Sequence, residues 1–248
     1  MDIHSTLDKL KQMKLYGFEQ AYRQAWENGQ QESFTADQLI AHLVDAEYDD
    51  RYNKKLARLL KAARLKQKAT LSQVDYKPER NLDKNQILRL ETCDWIHKNR
   101  DVLVTGPTGA GKSFIACALG FQACVNEYKT LYVTANRLFD RLFYAKADGT
   151  YLKELNKIAK MDLLILDDFC LKPIESQSRS MLLDIIDDRH ASKSTIIVSQ
   201  LPVNKWHELI GEPTIADAIM DRLVNGSYRI NLKGESMRKF LKNEEEKF

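Results

Sequence analysis

Gly106-Pro107-Thr108-Gly109-Ala110-Gly111-Lys112-Ser113 matches the phosphate-binding pattern G-x-x-x-x-G-K-[ST] at every constrained position. Its glycines let backbone N–H groups curl around a β-phosphate, where the start of a helix adds positive potential. Lys112 could reach the β- and γ-phosphates, and the Ser113 hydroxyl could hold Mg²⁺. A second group of candidates closes the apolar run Leu163-Leu164-Ile165-Leu166-Asp167-Asp168. Asp167, a carboxylate at the tip of a buried strand, could face the same Mg²⁺. Asp168, one residue on, could orient and deprotonate an attacking water. Taken singly, the first motif could be a Gly-rich turn that binds nothing, and the second an acidic cap after a core strand. Their pairing in one chain favours hydrolysis of a nucleoside triphosphate.

Three more groups could complete such a site. Ser199 and Gln200 end the strand-like Thr195–Ser199 and could position a γ-phosphate, or form a plain turn into Pro202. Arg222, in the helical stretch 216–223, could pair locally with Asp217 or Asp221. Alternatively it projects into a neighbouring subunit's nucleotide as an arginine finger, worth about 10³ to 10⁵ in rate. Arg238, beyond the last strand, is a candidate γ-phosphate sensor in cis.

These residues need a scaffold, and the apolar pattern supplies one. Residues 101–105 read as a buried strand, 106–113 as the loop and 114–124 as a helix. Strands are predicted over 130–134, 163–167, 195–199 and 228–232, with helical segments between them, which argues for an α/β fold with a parallel sheet. A helix over 86–99 precedes the first strand. Residues 135–160 exceed one helix and should form two, turning at Asp148-Gly149.

Residues 1–70 read as wholly helical, with breaks at Gly17 and Gly29. Thr35-Ala36-Asp37-Gln38 is a capping box ahead of a long helix carrying Leu39, Leu43, Ala46, Leu56, Leu59, Leu60 and Ala63. Arg51 to Lys68 contains eight basic residues and no acid. Lys54, Arg58, Lys61, Arg64 and Lys68 recur three or four apart on a face away from the leucines. That face could simply be solvated, but uninterrupted like charge favours a polyanion partner. Residues 71–85, polar around Pro78, read as a linker.

With 248 residues the chain can hold one α/β domain and a smaller appendage. Its formal net charge of +3 leaves any case for nucleic acid to the distribution of charge. Cys93, Cys117, Cys124 and Cys170 show no metal-ligand spacing and suit a reduced core. No apolar stretch approaches a membrane span and no signal-peptide pattern opens the chain, so no membrane role and a cytoplasmic location are expected.

The phosphate loop, LLILDDF, the stretch 194–202 (STIIVSQLP) followed by Trp206, 214–223 (TIADAIMDRL) and 232–238 (LKGESMR) together resemble the IstB family. These are AAA+ helper ATPases of insertion-sequence transposition, related to the DnaC and DnaI helicase loaders. The likeness runs from the N-terminal helices to the last ten residues. It implies a P-loop AAA+ sheet of five parallel strands in the order 5-1-4-3-2, within an ATPase domain over 86–248. An all-helical DNA- or partner-binding domain over 1–70 and the linker 71–85 precede it. The resemblance implies ATP and Mg²⁺ as ligands, contacted by Gly106, Pro107, Thr108, Gly109, Ala110, Gly111, Lys112, Ser113, Phe114 and Arg238. Catalysis is assigned to Lys112, Asp167, Asp168, Ser199 and a trans Arg222, and the metal to Ser113 and Asp167.

The partners implied are duplex DNA, further copies of the chain and a transposase encoded nearby, with a role in target-site selection. The loader relatives carry an extra helix that touches DNA, and residues 135–160 occupy its place, with Arg137 and Arg141 available. One departure is Asp168, where many AAA+ proteins carry Glu; the shorter side chain implies slow or DNA-dependent turnover. The short stretch after Arg238 is expected to leave no room for a full helical lid. The alternatives are a replicative helicase loader of the DnaC/DnaI type, a P-loop small-molecule kinase, and an adaptor that uses nucleotide as a binding switch.

Overall fold

The computed structural model describes residues 3–29 and 33–236. Five strands form its sheet: β1 (Val102–Thr105), β2 (Thr130–Thr134), β3 (Leu163–Asp167), β4 (Ser194–Ser199) and β5 (Tyr228–Asn231). All pair in parallel, in the order β2-β3-β4-β1-β5, which is the predicted order read from the other edge. Every residue of β1, β3 and β4 is buried, as continuous Val, Ile and Leu runs require when helices cover both faces.

The helices are α1 (Ile3–Gln12), α2 (Tyr16–Glu27), α3 (Ala36–Ala63), α4 (Lys84–Glu91), α5 (Asp94–His97), α6 (Lys112–Val125), α7 (Ala135–Ala147), α8 (Tyr151–Ala159), α9 (Ser176–Arg189), α10 (Trp206–Ile210) and α11 (Pro213–Val224). Strand alternation deals side chains to two cores. Val102, Val104, Ile165, Ile196 and Val198 meet Ile87, Trp95, Ile115 and Leu119 on one face. Leu103, Leu164, Leu166 and Ile197 meet Leu138, Leu182, Ile186, Trp206 and Ile219 on the other. All four cysteines are free and buried. No helix among the described residues is long and apolar enough to cross a membrane.

By contact the chain divides into a unit up to Arg58 and a unit from Leu59 onward. In the first, Gly17 lies where a Cβ would stand 2.4 Å from the Ala46 carbonyl, so the backbones of α2 and α3 approach closely. The Phe18 amide donates to Glu47 at 3.1 Å. Burial alone would raise the Glu47 carboxyl, but hydrogen bonds from Arg51 and Phe18 outweigh it and hold the group low. The capping box forms as predicted: the Gln38 amide donates to Thr35 Oγ1 at 3.3 Å, and the Thr35 amide donates to Gln38 Oε1 at 2.9 Å.

Three local expectations give way. The predicted helix over 86–99 is two helices, because Cys93 takes a left-handed φ of 60° and Trp95 turns back to donate to the Leu90 carbonyl at 2.9 Å. The basic residues Lys54, Arg58, Lys61, Arg64 and Lys68 do not share one helical face. α3 stops at Ala63, Arg64 adopts φ 53°, and the reversal carries Leu65 and Ala69 into the core. Residues 71–85 are packed, with short 3-10 turns at Leu71–Gln73 and Pro78–Arg80. Leu71 and Val74 are buried there, and Tyr76 and Leu82 pack beside them. Residues 135–160 form two helices as predicted, with Asp148 Oδ1 accepting from the Thr150 amide at 3.0 Å and hydroxyl at 2.6 Å.

Candidate active site

A parallel sheet gathers its ligand groups where the C-terminal ends of its strands open into loops. Here the phosphate loop leaves β1 and enters α6 at Lys112. Gly106 has φ 145°, and a Cβ there would stand 2.5 Å from the Leu232 carbonyl, so only glycine lets the loop leave the strand beside the end of β5. Lys112 is buried, and its ammonium donates to the Pro107 carbonyl at 2.8 Å, folding the side chain back over the loop.

Asp167 closes β3 and is 1% exposed. Its Oδ2 accepts from Ser113 Oγ at 2.7 Å and from the Tyr132 hydroxyl, with Lys66 Nζ 3.8 Å away. Its Oδ1 accepts from the Asp168 amide at 2.8 Å. Such donors offset the cost of burying a carboxylate. The Tyr132 phenol is pushed far up, first by burial and then by the adjoining Asp167, so it remains a proton donor across the physiological range. Asp168 has φ 57°, a left-handed conformation that Asp tolerates better than most residues.

A cavity of about 350 Å³ lies over these groups, within the range of small-molecule sites. Thr108, Gly109, Gly111, Lys112, Ser113 and Phe114 line it from the loop and α6. Asp168 and Gln200 line it from the strand tips, and Lys66, Gln67, Gln73, Asp75 and Arg80 from the packed segment before α4. The structure therefore brings together the predicted phosphate loop, Asp167 and Asp168. Ser113 and Asp167 present hard oxygens hydrogen-bonded to each other, a donor set that suits Mg²⁺.

Other predicted residues lie elsewhere. Ser199 is 1% exposed and stays in the strand-end turn: its hydroxyl donates to the Phe169 carbonyl at 2.7 Å and accepts from the Leu201 amide at 3.2 Å. Gln200 is the residue that lines the cavity, and it accepts from Thr108 Oγ1 at 2.7 Å. Arg222 pairs with Asp187 at 2.7 Å rather than with Asp217 or Asp221, and also donates to the Ala218 carbonyl at 2.8 Å. It shares a small cleft with Asp101, Arg189 and Thr195, at the N-terminal ends of β1 and β4 and so opposite the phosphate loop. Arg238 lies outside the described residues.

Among the basic candidates, Lys54 pairs with Asp50 at 2.7 Å, and Arg58 is exposed. Lys61, Arg64 and Lys68 line a cavity of about 540 Å³ with Leu65 and Phe121. Arg137 is exposed, whereas Arg141 pairs with Glu154. Sequence reasoning missed Tyr132, which sits two residues before the position paired with Asp167 in register, and Arg80. It counted Lys66 only as part of a charged run. Apolar spacing at Leu65, Ala69, Leu71 and Val74 was the signal that this stretch joins the core.

The family described as IstB-like ATP binding protein matches residues 8–245 of the chain. The chain is 44% identical over 236 residues to y4pL of Sinorhizobium fredii, an insertion sequence ATP-binding protein by name, covering 95% of this chain and 96% of that one. It is 42% identical over 198 residues to the ATP-binding protein of insertion sequence IS1162 from Pseudomonas fluorescens, covering 79% and 86%. Among solved structures, DnaI aligns with a TM-score of 0.56 at 22% identity over 68% of this chain and 90% of that one. The DnaC helicase loader aligns with a TM-score of 0.55 at 17% identity over 71% and 99%. These two likenesses concern the fold.

Proposed function

We propose that this chain, which belongs to the family of IstB-like ATP binding proteins, hydrolyses ATP while assembled on duplex DNA and serves a transposase encoded beside it in target-site selection. The observation that carries this reading is the 2.7 Å hydrogen bond from Ser113 to Asp167, which joins the end of the phosphate loop to the tip of the acidic strand. Ser113 and Asp167 would hold Mg²⁺, which would supply Lewis-acid neutralisation of phosphate charge. The Lys112 ammonium exchanges the Pro107 carbonyl for a phosphate oxygen, and the loop amides hold the others. Asp168 accepts the proton of the attacking water, and Gln200 orients that water from the facing strand tip.

Arg222 sits at the wrong end of its own sheet for a cis role, which supports contact with the nucleotide of a second copy. A trans arginine makes nucleotide binding and subunit contact mutually favourable. Assembly then repeats Lys54, Arg58, Lys61, Arg64 and Lys68 along one duplex, so weak phosphate contacts add. Arg137, exposed on α7, is a separate candidate for phosphate contact, and Arg141 is a weaker one because Glu154 holds it. Arg238 is assigned to sensing the γ-phosphate. The insertion-sequence names of the relatives favour the transposition role over a replicative loader.

Phosphate release from ATP with and without duplex DNA tests the reading. Release should rise with DNA, and Asp168→Asn should lower it by about 10² to 10⁴, the usual worth of a general base, while assembly on DNA persists. Release indifferent to DNA rejects DNA dependence, and unchanged release in the variant removes Asp168 from its role. Arg222→Ala and Lys112→Ala chains, each inactive alone, should recover part of the activity when mixed. No recovery in an assembly shown to form rejects the trans role.

A further inference from the structure

Arg80 ends the second 3-10 turn and is 7% exposed, with its guanidinium set against the phosphate loop. One terminal amine donates to the Ala110 carbonyl at 3.0 Å, and the other donates to the Asp75 carbonyl. Nε is buried with no hydrogen-bond partner among the described residues. No carboxylate forms an ion pair with Arg80 among those residues either, although Asp75 and Arg80 both line the nucleotide cavity. Gly111 makes the approach possible: its φ is 87°, and a Cβ there would stand 2.7 Å from the guanidinium. The Arg80 backbone is also tied down, since its carbonyl accepts from the Lys233 amide at 3.0 Å. Next to it, Asn81 Nδ2 donates to the Asn231 carbonyl at 2.9 Å, at the end of β5.

A buried cation is costly without a counter-charge. Here the protein supplies two neutral carbonyls and leaves Nε without an acceptor, beside a loop shaped for polyphosphate. We infer that Arg80 is a positioning residue for ATP: it ties down the Ala110 carbonyl so that the loop's amides can face the phosphates, and the phosphates are its counter-ion. A carbonyl left untied at that point would be free to turn toward the anion and repel it. Arginine is required because a planar fork can hold two separate carbonyls at once, which a lysine ammonium on its flexible stem does poorly. The segment 71–85 thereby becomes a working wall of the site. This role rests on the reading of the loop as an ATP site.

Titration with a fluorescent ATP analogue, together with thermal unfolding of the nucleotide-free protein, tests it. Arg80→Ala and Arg80→Lys should both bind about 10- to 100-fold more weakly than wild type, the worth of one charged hydrogen bond. Millimolar methylguanidinium should restore part of the affinity of Arg80→Ala and none of that of Lys112→Ala. A wild-type protein that does not bind removes the ATP reading and the inference with it. Wild-type binding together with an unaffected Arg80→Ala overturns the inference alone. So does a weakened Arg80→Ala that methylguanidinium leaves unrescued while its unfolding midpoint falls.

Discussion

The two ends of the sheet each bury an arginine, and the two are treated differently. Beneath the N-terminal ends, Arg189 is 2% exposed and every nitrogen of its guanidinium is engaged. Nε donates to Thr195 Oγ1 at 3.1 Å, one amine to the Ile158 and Met161 carbonyls at 2.9 Å each, and the other to the Ser194 carbonyl. Burial lowers its pKa to about 10, with Asp101 and Asp162 opposing the drop. Above the C-terminal ends, Arg80 keeps an unpartnered Nε, Asp167 accepts from Ser113, Tyr132 and the Asp168 amide, and Lys112 rests on a loop carbonyl. A buried charge with every nitrogen engaged ties the end of α9 to α8, to the turn before β3 and to β4. An unsaturated group beside a cavity is set up for a ligand. Between these two arginines, burial alone therefore does not separate structural from functional charge; the state of the hydrogen-bonding capacity does.

The largest effect expected from this contrast falls on Arg189. Arg189→Met should cost about 3–5 kcal/mol of stability, because it strips the cation from three carbonyls and a hydroxyl it alone connects. Urea unfolding measures it, and a loss below about 1 kcal/mol would erase the distinction between the two ends.

Asp101 sharpens it through pH. Burial raises this carboxyl to about 7, against the pull of the Thr195 amide and Arg189. The native state then keeps a proton that the unfolded chain gives up near its ordinary value of about 4. Stability is accordingly lost as pH rises from about 4 to 7 and is level above that, by at most ~4 kcal/mol. Asp101→Asn should flatten this slope, and parallel slopes in the two proteins would place its source elsewhere.

The smallest effect belongs to Tyr132→Phe, which removes one of several donors to Asp167. It should cost about 1 kcal/mol, seen as a modest fall in unfolding midpoint. A loss several times larger would mean that Asp167 depends on this hydroxyl more than on Ser113.

The phosphate loop and the acidic tip were legible because each is contiguous in sequence and its backbone geometry demands particular residues. Strand positions followed from the apolar runs, and strand order from the family resemblance. Arg80 and Lys66 were missed for the opposite reason: they enter the site through tertiary packing of a stretch whose polar composition outweighs the apolar spacing of Leu65, Ala69, Leu71 and Val74. The break at Arg64 was hidden too, since helical spacing carries no sign of a left-handed φ at a non-glycine residue. Ser199 shows a further limit, because a polar residue at a strand end can turn inward to cap its own turn.

Calorimetric titration of ATP into wild type and Lys112→Ala, with Mg²⁺ and again with EDTA, tests the account at its centre. Wild type should bind ATP with a clear gain from the metal, and Lys112→Ala should bind at least about tenfold more weakly under both conditions. Equal affinities for the two proteins, or binding indifferent to Mg²⁺, would contradict the assignment of Lys112, Ser113 and Asp167 to one magnesium–triphosphate site.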